Sequence, residues 1–177
     1  MKKVIALGGS NSKTSINKAL ATYAANQVNA AAIKVLDLND YSLPLYSIDL
    51  ENENGIPEAA NALLTEIKSA DGIVLSLAEH NGAYSTAFKN AFDWMSRIDG
   101  KLWSNIPMLL MATSPGARGG ASVLEIAKGR FPYMGGNVVA DFSLPSFYDN
   151  FKENKIAHEE LNDRLIAAVK QLEISMN

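Results

Sequence analysis

A run of small polar residues follows the first apolar segment of the chain, residues 4–7. The run extends from Gly8 to Asn17, carries serine, threonine and lysine side chains, and precedes an alanine-rich, helix-like segment. At the start of a helix the first backbone N–H groups lack intrahelical partners, and the helix dipole adds partial positive charge there. A phosphate group is a natural ligand for such a position. The order strand, polar loop, helix therefore predicts a phosphate site, with hydroxyl donors, an amide donor from Asn17 and a charge from Lys13.

The same loop has a plainer interpretation as an ordinary helix start, because Ser and Asn are common N-cap residues. The density of polar residues directly after the first strand favours the phosphate site. The loop lacks the Gly-Lys-Ser/Thr ending of a P-loop and the G-x-G-x-x-G spacing of a dinucleotide fingerprint. We therefore expect a phosphate site of neither of these two kinds.

Composition and charge exclude several classes of protein. A length of 177 residues fits one domain, and we expect a single domain over residues 1–177. The net charge of −3, without a basic run, argues against nucleic acid or an anionic membrane as partner. The absence of cysteine excludes a disulfide framework, and the two histidines lack metal-ligand spacing, so no metal site is expected. No apolar signal segment or membrane-length run stands out, which predicts a cytoplasmic location.

Apolar runs and helix-like segments alternate along the chain. Strands are expected at residues 4–7, 32–36, 72–77, 107–113 and 137–140. Helices are expected at residues 15–28, 57–69 and 86–97, in a segment ending near 131, and at 158–174. Residues 37–56 are expected to be a long irregular segment. This alternation predicts a parallel sheet with helices on both faces.

Loops rich in Gly, Ser and Asn follow the first, third and fourth strands. Among the doubly wound strand orders, the flavodoxin-like order 2-1-3-4-5 places these three loops side by side. Ligands of such sheets bind outside the carboxyl ends of the strands. The convergence of the polar loops therefore favours an α/β fold, a flavodoxin-like three-layer sandwich.

Three motifs in these loops resemble those of the NAD(P)H-dependent FMN reductase family. Gly9-Ser10-x-x-Lys13-x-Ser15-x-Asn17 resembles its phosphate loop. Ala78-Glu79-His80-Asn81, followed by Phe88-Lys89-Asn90-Ala91-Phe92-Asp93-Trp94, resembles its Pro-Glu-Tyr-Asn and Leu-Lys-Asn-Ala-Ile-Asp-Trp segments. The segment Ser114-Pro-Gly-x-x-Gly119-Gly120 is also similar. The chain departs from the family at Ser12, where Arg is frequent, and at Ala78, His80 and 84–86.

The resemblance implies a bound FMN and assigns residues to its parts. The residues implied at the FMN phosphate are Ser10, Ser12, Ser15, Ile16 and Asn17. Those implied along the isoalloxazine edge are Glu79, His80, Asn81 and Gly82, and those near the ring or ribityl chain are Ser114 and Gly116. The flavin itself carries the hydride chemistry, so no protein acid or base is required. His80 is a candidate proton donor, and an inert surface histidine is its alternative.

The predicted function is an FMN-dependent oxidoreductase that takes hydride from NADH or NADPH. Its partner would be a small-molecule electron acceptor: a quinone, azo compound, nitro compound, metal oxyanion or free flavin. The alternative is a non-enzymatic flavodoxin-like FMN carrier or a cofactor-binding module. Carriers are usually strongly acidic, and a charge of −3 supports that alternative only weakly. Small residues in the loops leave one flavin face open for a nicotinamide ring, unless Tyr46 or Tyr84 covers it.

Residues 86–97 are apolar on more than one side of the predicted helix. One stripe contains Phe88, Phe92 and Met95, and a second contains Ala87, Ala91, Trp94 and Ile98. One stripe suffices for a helix that packs on a sheet. The second stripe, together with the resemblance, predicts a homodimer or homotetramer. The alternative is that residues 37–56 or the C-terminal segment cover it.

Overall fold

The computed structural model describes residues 1–176 and contains a central parallel sheet. The strands in chain order are Lys2–Gly9 (β1), Ala31–Leu36 (β2), Gly72–His80 (β3), Ala83–Tyr84 (β4), Pro107–Thr113 (β5), Asn137–Leu144 (β6), Phe151–Lys152 (β7) and Lys155–Ile156 (β8). The long strands lie in the order β2-β1-β3-β5-β6, with β4 added to the end of β3. Counted over the long strands alone, this is the predicted order 2-1-3-4-5, and the flavodoxin-like class is confirmed. The carboxyl ends of β1, β3 and β5 are neighbours, as the loop pattern predicts.

The sheet is covered by helices on both faces. The helices are Ile16–Ala25 (α1), Ile48–Asn54 (α2), Glu58–Lys68 (α3), Thr86–Ile98 (α4), Ala121–Arg130 (α5), Phe147–Asn150 (α6) and Glu159–Ser175 (α7). Alternate residues of a strand point to opposite faces, so Val4 and Ala6 pack with α1 and α7 while Ile5 and Leu7 pack with α3, α4 and α5. Burial on both faces explains the long apolar runs of the central strands β1, β3 and β5, whereas the edge strands β2 and β6 are partly exposed. Within residues 1–176, no helix has the length and apolar character needed to cross a bilayer.

Strand β3 is longer than its apolar run predicts. Ala78, Glu79 and His80 were expected in a loop, but they belong to β3, whose last two residues pair with β4 in an antiparallel hairpin. The turn is Asn81-Gly82, with positive φ angles of 53° and 77°. Asn-Gly is the favoured sequence of a type I′ hairpin turn, so the signal was present in the sequence. The expected end of the fifth strand at residue 140 is also wrong, because β6 continues to Leu144.

The segment 37–56 is not irregular throughout, as was expected. It contains a 3-10 turn at Leu38–Asp40 and helix α2, whose N-cap Ser47 accepts a hydrogen bond from the N–H of Leu50 at 3.1 Å. Helix α1 is shorter than predicted, because it begins after its N-cap Ser15 and ends at Ala25. The remaining predicted helix ends agree with the structure within one residue, and α6 was not predicted.

The second apolar stripe of α4 is covered by the chain itself at Trp94. The indole Nε1 donates to the carbonyl of Pro44 at 2.8 Å, and the ring of Tyr46 packs edge-on at a centroid distance of 5.0 Å. Trp94 is consequently fully buried. Residues 37–56 therefore cover this part of the stripe, which was the alternative to a partner chain. The burial of Trp94 consequently gives no support to self-association.

Candidate functional site

A cavity of about 200 Å³ lies at the carboxyl ends of β1, β3 and β5. It is lined by Ser10, Ser12, Thr14, Ser15, Ile16, Asn17, Ala78, Glu79, His80, Thr113, Ser114, Pro115 and Tyr148. The structure thus brings most of the predicted site residues together. Asn81, Gly82 and Gly116 do not line the cavity; the first two form the exposed hairpin tip and Gly116 lies in the exposed loop after β5.

The serines of the first loop are held in place by the loop's own backbone. The Oγ of Ser10 accepts from the N–H of Ser12 at 3.1 Å, and the Oγ of Ser12 accepts from the N–H of Thr14 at 3.3 Å. The Oγ of Ser15 caps α1 by accepting from the N–H of Lys18 at 3.0 Å. A hydroxyl that accepts a hydrogen bond still has its own proton to donate. The arrangement therefore orients three hydroxyl groups and suits a ligand that only accepts, such as phosphate.

Two backbone N–H groups at the start of α1 complete this set of donors. Within residues 1–176, neither the N–H of Ile16 nor that of Asn17 has an acceptor. Both residues line the cavity, at the positive end of the helix dipole. Gly8 allows α1 to start this close to β1, because a Cβ there would lie 2.6 Å from the backbone nitrogen of Lys18. Unpartnered N–H groups at a helix start are what an anion requires.

The side chain of Asn17 also has a role in the core that the sequence did not predict. It is buried, its Nδ2 donates to the carbonyl of Thr113 at 3.2 Å, and its Oδ1 accepts from the N–H of Thr113 at 3.1 Å. The same Oδ1 accepts from the hydroxyl of Ser76 at 2.7 Å. The amide therefore ties α1 to β3 and β5, while the backbone N–H of Asn17 has no acceptor within residues 1–176.

The hairpin after β3 is anchored on two sides. The carboxylate of Glu79 accepts from the N–H of Val123 at 3.0 Å, near the start of α5. Ser85, the N-cap of α4, donates its hydroxyl to the carbonyl of Gly9 at 2.7 Å and accepts from the N–H of Phe88 at 3.1 Å. Glu79 thus stabilises a helix start, where a negative charge is favourable. His80 is exposed beside it and lines the cavity, so its side chain is available to a ligand.

The loop after β5 is held by the segment that follows β6. The N–H of Ser146 donates to the carbonyl of Gly116 at 2.9 Å, and the N–H of Phe147 donates to the carbonyl of Ser114 at 3.0 Å. The hydroxyl of Ser114 donates to the carbonyl of Gly116 at 3.2 Å within the loop. These bonds fix the position at which the loop borders the cavity.

Gly119 and Gly120 end this loop and serve its packing. Both have positive φ angles, 57° and 76°. A Cβ on Gly119 would lie 2.4 Å from the Oγ of Ser143 in β6, and one on Gly120 would lie 2.8 Å from the Cβ of Ala112 in β5. The double glycine is therefore explained by backbone conformation and close approach to the sheet.

A sequence model of the family described as NADPH-dependent FMN reductase matches residues 2–149. The chain belongs to this family. The resemblance identified from the three loop motifs is confirmed, and the match extends beyond them to include β6 and the start of α6.

Two relatives of this member of the FMN reductase family are named quinone reductases. It is 34% identical to a quinone reductase of Escherichia coli (strain K12) over 120 residues, which cover 67% of this chain and 63% of that protein. It is 31% identical to a 2-hydroxy-1,4-benzoquinone reductase of Burkholderia sp over 156 residues, 87% of this chain and 81% of that protein. The chain therefore spans less than two thirds of the length of the Escherichia coli relative.

The structure is also similar to a solved one. FerB of Paracoccus denitrificans, described as a flavoenzyme NAD(P)H:(acceptor) oxidoreductase, matches with a TM-score of 0.74 and 25% sequence identity. The match covers 99% of each chain. This member of the FMN reductase family and FerB thus share their fold over almost the full length of both chains.

Tyr148 is a residue at the cavity that sequence reasoning missed. It lies on α6, beyond the predicted end of the fifth strand, and its side chain is 61% exposed. The two tyrosines that were considered as covers lie elsewhere: Tyr46 packs on Trp94, and Tyr84 packs against Phe88 and other rings of the core. The aromatic density of residues 147–151 is the sequence signal that could have drawn attention to this segment.

Proposed function

We propose that the protein is an FMN-dependent NAD(P)H oxidoreductase that passes electrons to a small-molecule acceptor. The observation that carries the proposal is the set of donors after β1: three oriented serine hydroxyls and two backbone N–H groups without an acceptor in residues 1–176. A mononucleotide phosphate is negatively charged and has several oxygens that accept hydrogen bonds, so it suits a set made of several donors. Membership of the FMN reductase family supports FMN as that mononucleotide.

The donors at the start of α1 fit the phosphate end of FMN. The phosphate would be held by the hydroxyls of Ser10, Ser12 and Ser15 and by the N–H groups of Ile16 and Asn17. The hairpin residues 79–82 and the loop residues Ser114 and Gly116 would border the rest of the cofactor. When bound, FMN supplies the hydride chemistry, and the protein binds it, orients it and limits access of water. His80 is the side chain we propose to contact the ring or the substrate.

The acceptor is proposed to be a quinone-like compound. Two relatives are named quinone reductases, and FerB is described as an oxidoreductase of an unspecified acceptor. Because of the family resemblance, we also propose azo compounds, nitro compounds, metal oxyanions and free flavin as acceptors.

We also propose one flavin-binding domain over the whole chain, a cytoplasmic location and a homodimer or homotetramer. The proposed oligomer rests on the family resemblance, because Trp94 is covered by residues 37–56 of the same chain.

The positions of two tyrosine rings bear on the alternative function, a flavodoxin-like carrier whose flavin would be covered by aromatic side chains. Tyr46 and Tyr84 were the candidates to cover the flavin, but both side chains pack against other aromatic rings of the protein. Small loop residues then leave room for a nicotinamide ring, and hydride transfer needs that close approach. Tyr148, the exposed aromatic side chain that lines the cavity, is the remaining candidate cover, so this packing favours an enzyme over a carrier only at the positions of Tyr46 and Tyr84.

Anaerobic mixing of the FMN-loaded protein with NADPH or NADH distinguishes the two functions. We expect either nucleotide to bleach the flavin directly to the two-electron reduced form, with no partner protein present. A quinone added afterwards should restore the oxidised absorption spectrum. Failure of both nucleotides to bleach the flavin within minutes, together with a long-lived one-electron state on chemical reduction, would establish the carrier instead.

A further inference from the structure

A second, larger groove opens beside the phosphate loop, along the outer face of α1. Its volume is about 760 Å³, within the range of roughly 300–1,000 Å³ typical of small-molecule sites. It extends past Thr22 to Asn26 and is bordered by Asp37 at the end of β2 and by residues 147–154. The residues that it shares with the 200 Å³ cavity are Thr14, Ser15, Ile16 and Tyr148. The two spaces therefore meet at the phosphate loop.

We propose that this groove binds the adenosine monophosphate half of FAD, so that the protein takes FAD in addition to FMN. The proposal rests on the proposed flavin function. FMN ends at its phosphate, and FAD continues from that same phosphate through a second phosphate to adenosine. A groove that begins where the phosphate of FMN would be held is therefore in the position where the additional half of FAD has to go.

One charge in the groove, that of Lys13, suits this second phosphate. The groove is lined by two lysines, Lys13 and Lys18, and by two carboxylates, Asp37 and Glu153, and Lys18 forms an ion pair with Asp37. Lys13 forms no ion pair with a carboxylate in the part of the chain that the structure describes, and it is exposed. The phosphate of FMN is a dianion, whereas in FAD the same charge is divided between two phosphates. An available cation just outside the first phosphate position matches that redistribution.

The walls of the groove suit a nucleoside. Tyr148 presents a 61% exposed ring at the junction with the cavity, which offers a face on which adenine can stack. Behind it, Phe147 and Phe151 stack at 4.8 Å, and Tyr23 contacts Phe151 edge-on at 5.7 Å, so the wall is apolar and packed.

Titration of the full chain with FMN and with FAD, followed by flavin fluorescence, tests the proposal. We expect the wild type to bind both flavins, with dissociation constants within about tenfold of each other, a difference of at most about 1.4 kcal/mol. Thr22→Trp places a large ring in the groove, away from the 200 Å³ cavity, and should weaken FAD binding about tenfold or more while leaving FMN affinity unchanged. Thr22→Ser is the matched control, because it keeps the hydroxyl that donates to the carbonyl of Lys18. Circular dichroism verifies that both variants are folded.

Three outcomes overturn the inference while leaving the proposed function intact. They are no measurable binding of FAD by a wild type that binds FMN, FAD affinity unchanged in Thr22→Trp, and weakened binding of NADPH alone in that variant. The last would assign the groove to the nicotinamide nucleotide. Failure of the wild type to bind FMN or FAD would overturn the proposed function and this inference together.

Discussion

The loop after β1 and the hairpin after β3 both border the candidate site, but they offer it different parts of the chain. In the loop, serine side chains accept bonds from their own backbone, and the N–H groups of Ile16 and Asn17 have no acceptor in residues 1–176. In the hairpin, β3 pairs with β4, and the carboxylate of Glu79 is bound to α5. The loop thus presents donors for an anion. The hairpin borders the cavity with polar groups that are bonded within the protein, and His80 is the exposed side chain on it. A residue's type in a motif does not by itself identify which of its atoms are available.

Substitution of Asn17 should have the largest effect on stability, because this residue belongs to the loop but its side chain bonds within the core. Asn17→Ala leaves the hydroxyl of Ser76 and the backbone N–H and carbonyl of Thr113 without their bonds from this side chain, at sites that are at most 1% exposed. Each buried group without a partner costs about 1–3 kcal/mol, so the free energy of unfolding should fall by about 3 kcal/mol or more. Urea denaturation measures the loss.

Asn11→Ala is the control for this experiment, because Asn11 is an exposed residue of the same loop. Its effect on the free energy of unfolding should stay within about 0.5 kcal/mol. Similar losses in the two variants would mean that the bonds of Asn17 do not support the fold, and the core role assigned to its amide would be wrong.

Ile16→Pro tests whether the backbone at the start of α1 donates to the FMN phosphate. Ile16 is the first residue of α1, a position where proline is tolerated, and the substitution removes one N–H that has no acceptor within residues 1–176. A hydrogen bond to a charged group contributes about 1.5–3 kcal/mol, so the dissociation constant for FMN should rise roughly 10- to 100-fold. Isothermal titration measures it.

Glu159→Pro provides the matched control, since it places proline at the first position of α7, which does not line the cavity. We expect FMN to bind to this variant as to the wild type. Wild-type affinity in Ile16→Pro as well, with both variants folded, would show that the N–H of Ile16 does not contact the phosphate.

The sequence predicted the centre of the sheet well, because burial on both faces gives β1, β3 and β5 a strong apolar signature; the edge strand β6 is partly exposed, and its end was predicted wrongly. It predicted the site residues as a group for a related reason, since parallel strands bring their carboxyl ends to one edge. The atoms were harder to predict: the amide of Asn17 bonds to Thr113, 96 positions away, and no local pattern encodes that distance. Tyr148 was missed because the segment beyond β6 has no periodicity that places it at the cavity.

Tyr84 gives the hairpin a weakness that the loop does not share. Its ring lies parallel to that of Phe131, at an interplanar angle of 4°, and its hydroxyl is buried with no hydrogen-bond partner among the described residues. Burial raises the pKa of Tyr84 to about 12. The hairpin therefore retains an unsatisfied polar group, whereas the buried amide of Asn17 in the loop is bonded on both of its polar atoms.

Tyr84→Phe tests this weakness and has the smallest expected effect. Removal of a buried hydroxyl without a partner should raise the free energy of unfolding by up to about 1 kcal/mol at neutral pH. The advantage should grow above pH 10, because the unfolded tyrosine ionises near its ordinary pKa of about 10 while the folded one keeps its proton until about 12. The wild type thus loses stability in that window and the variant does not. Urea denaturation at pH 7 to 11 measures the difference, with Tyr133→Phe, at a side chain 72% exposed, as the control; parallel curves for wild type and Tyr84→Phe would contradict the assignment.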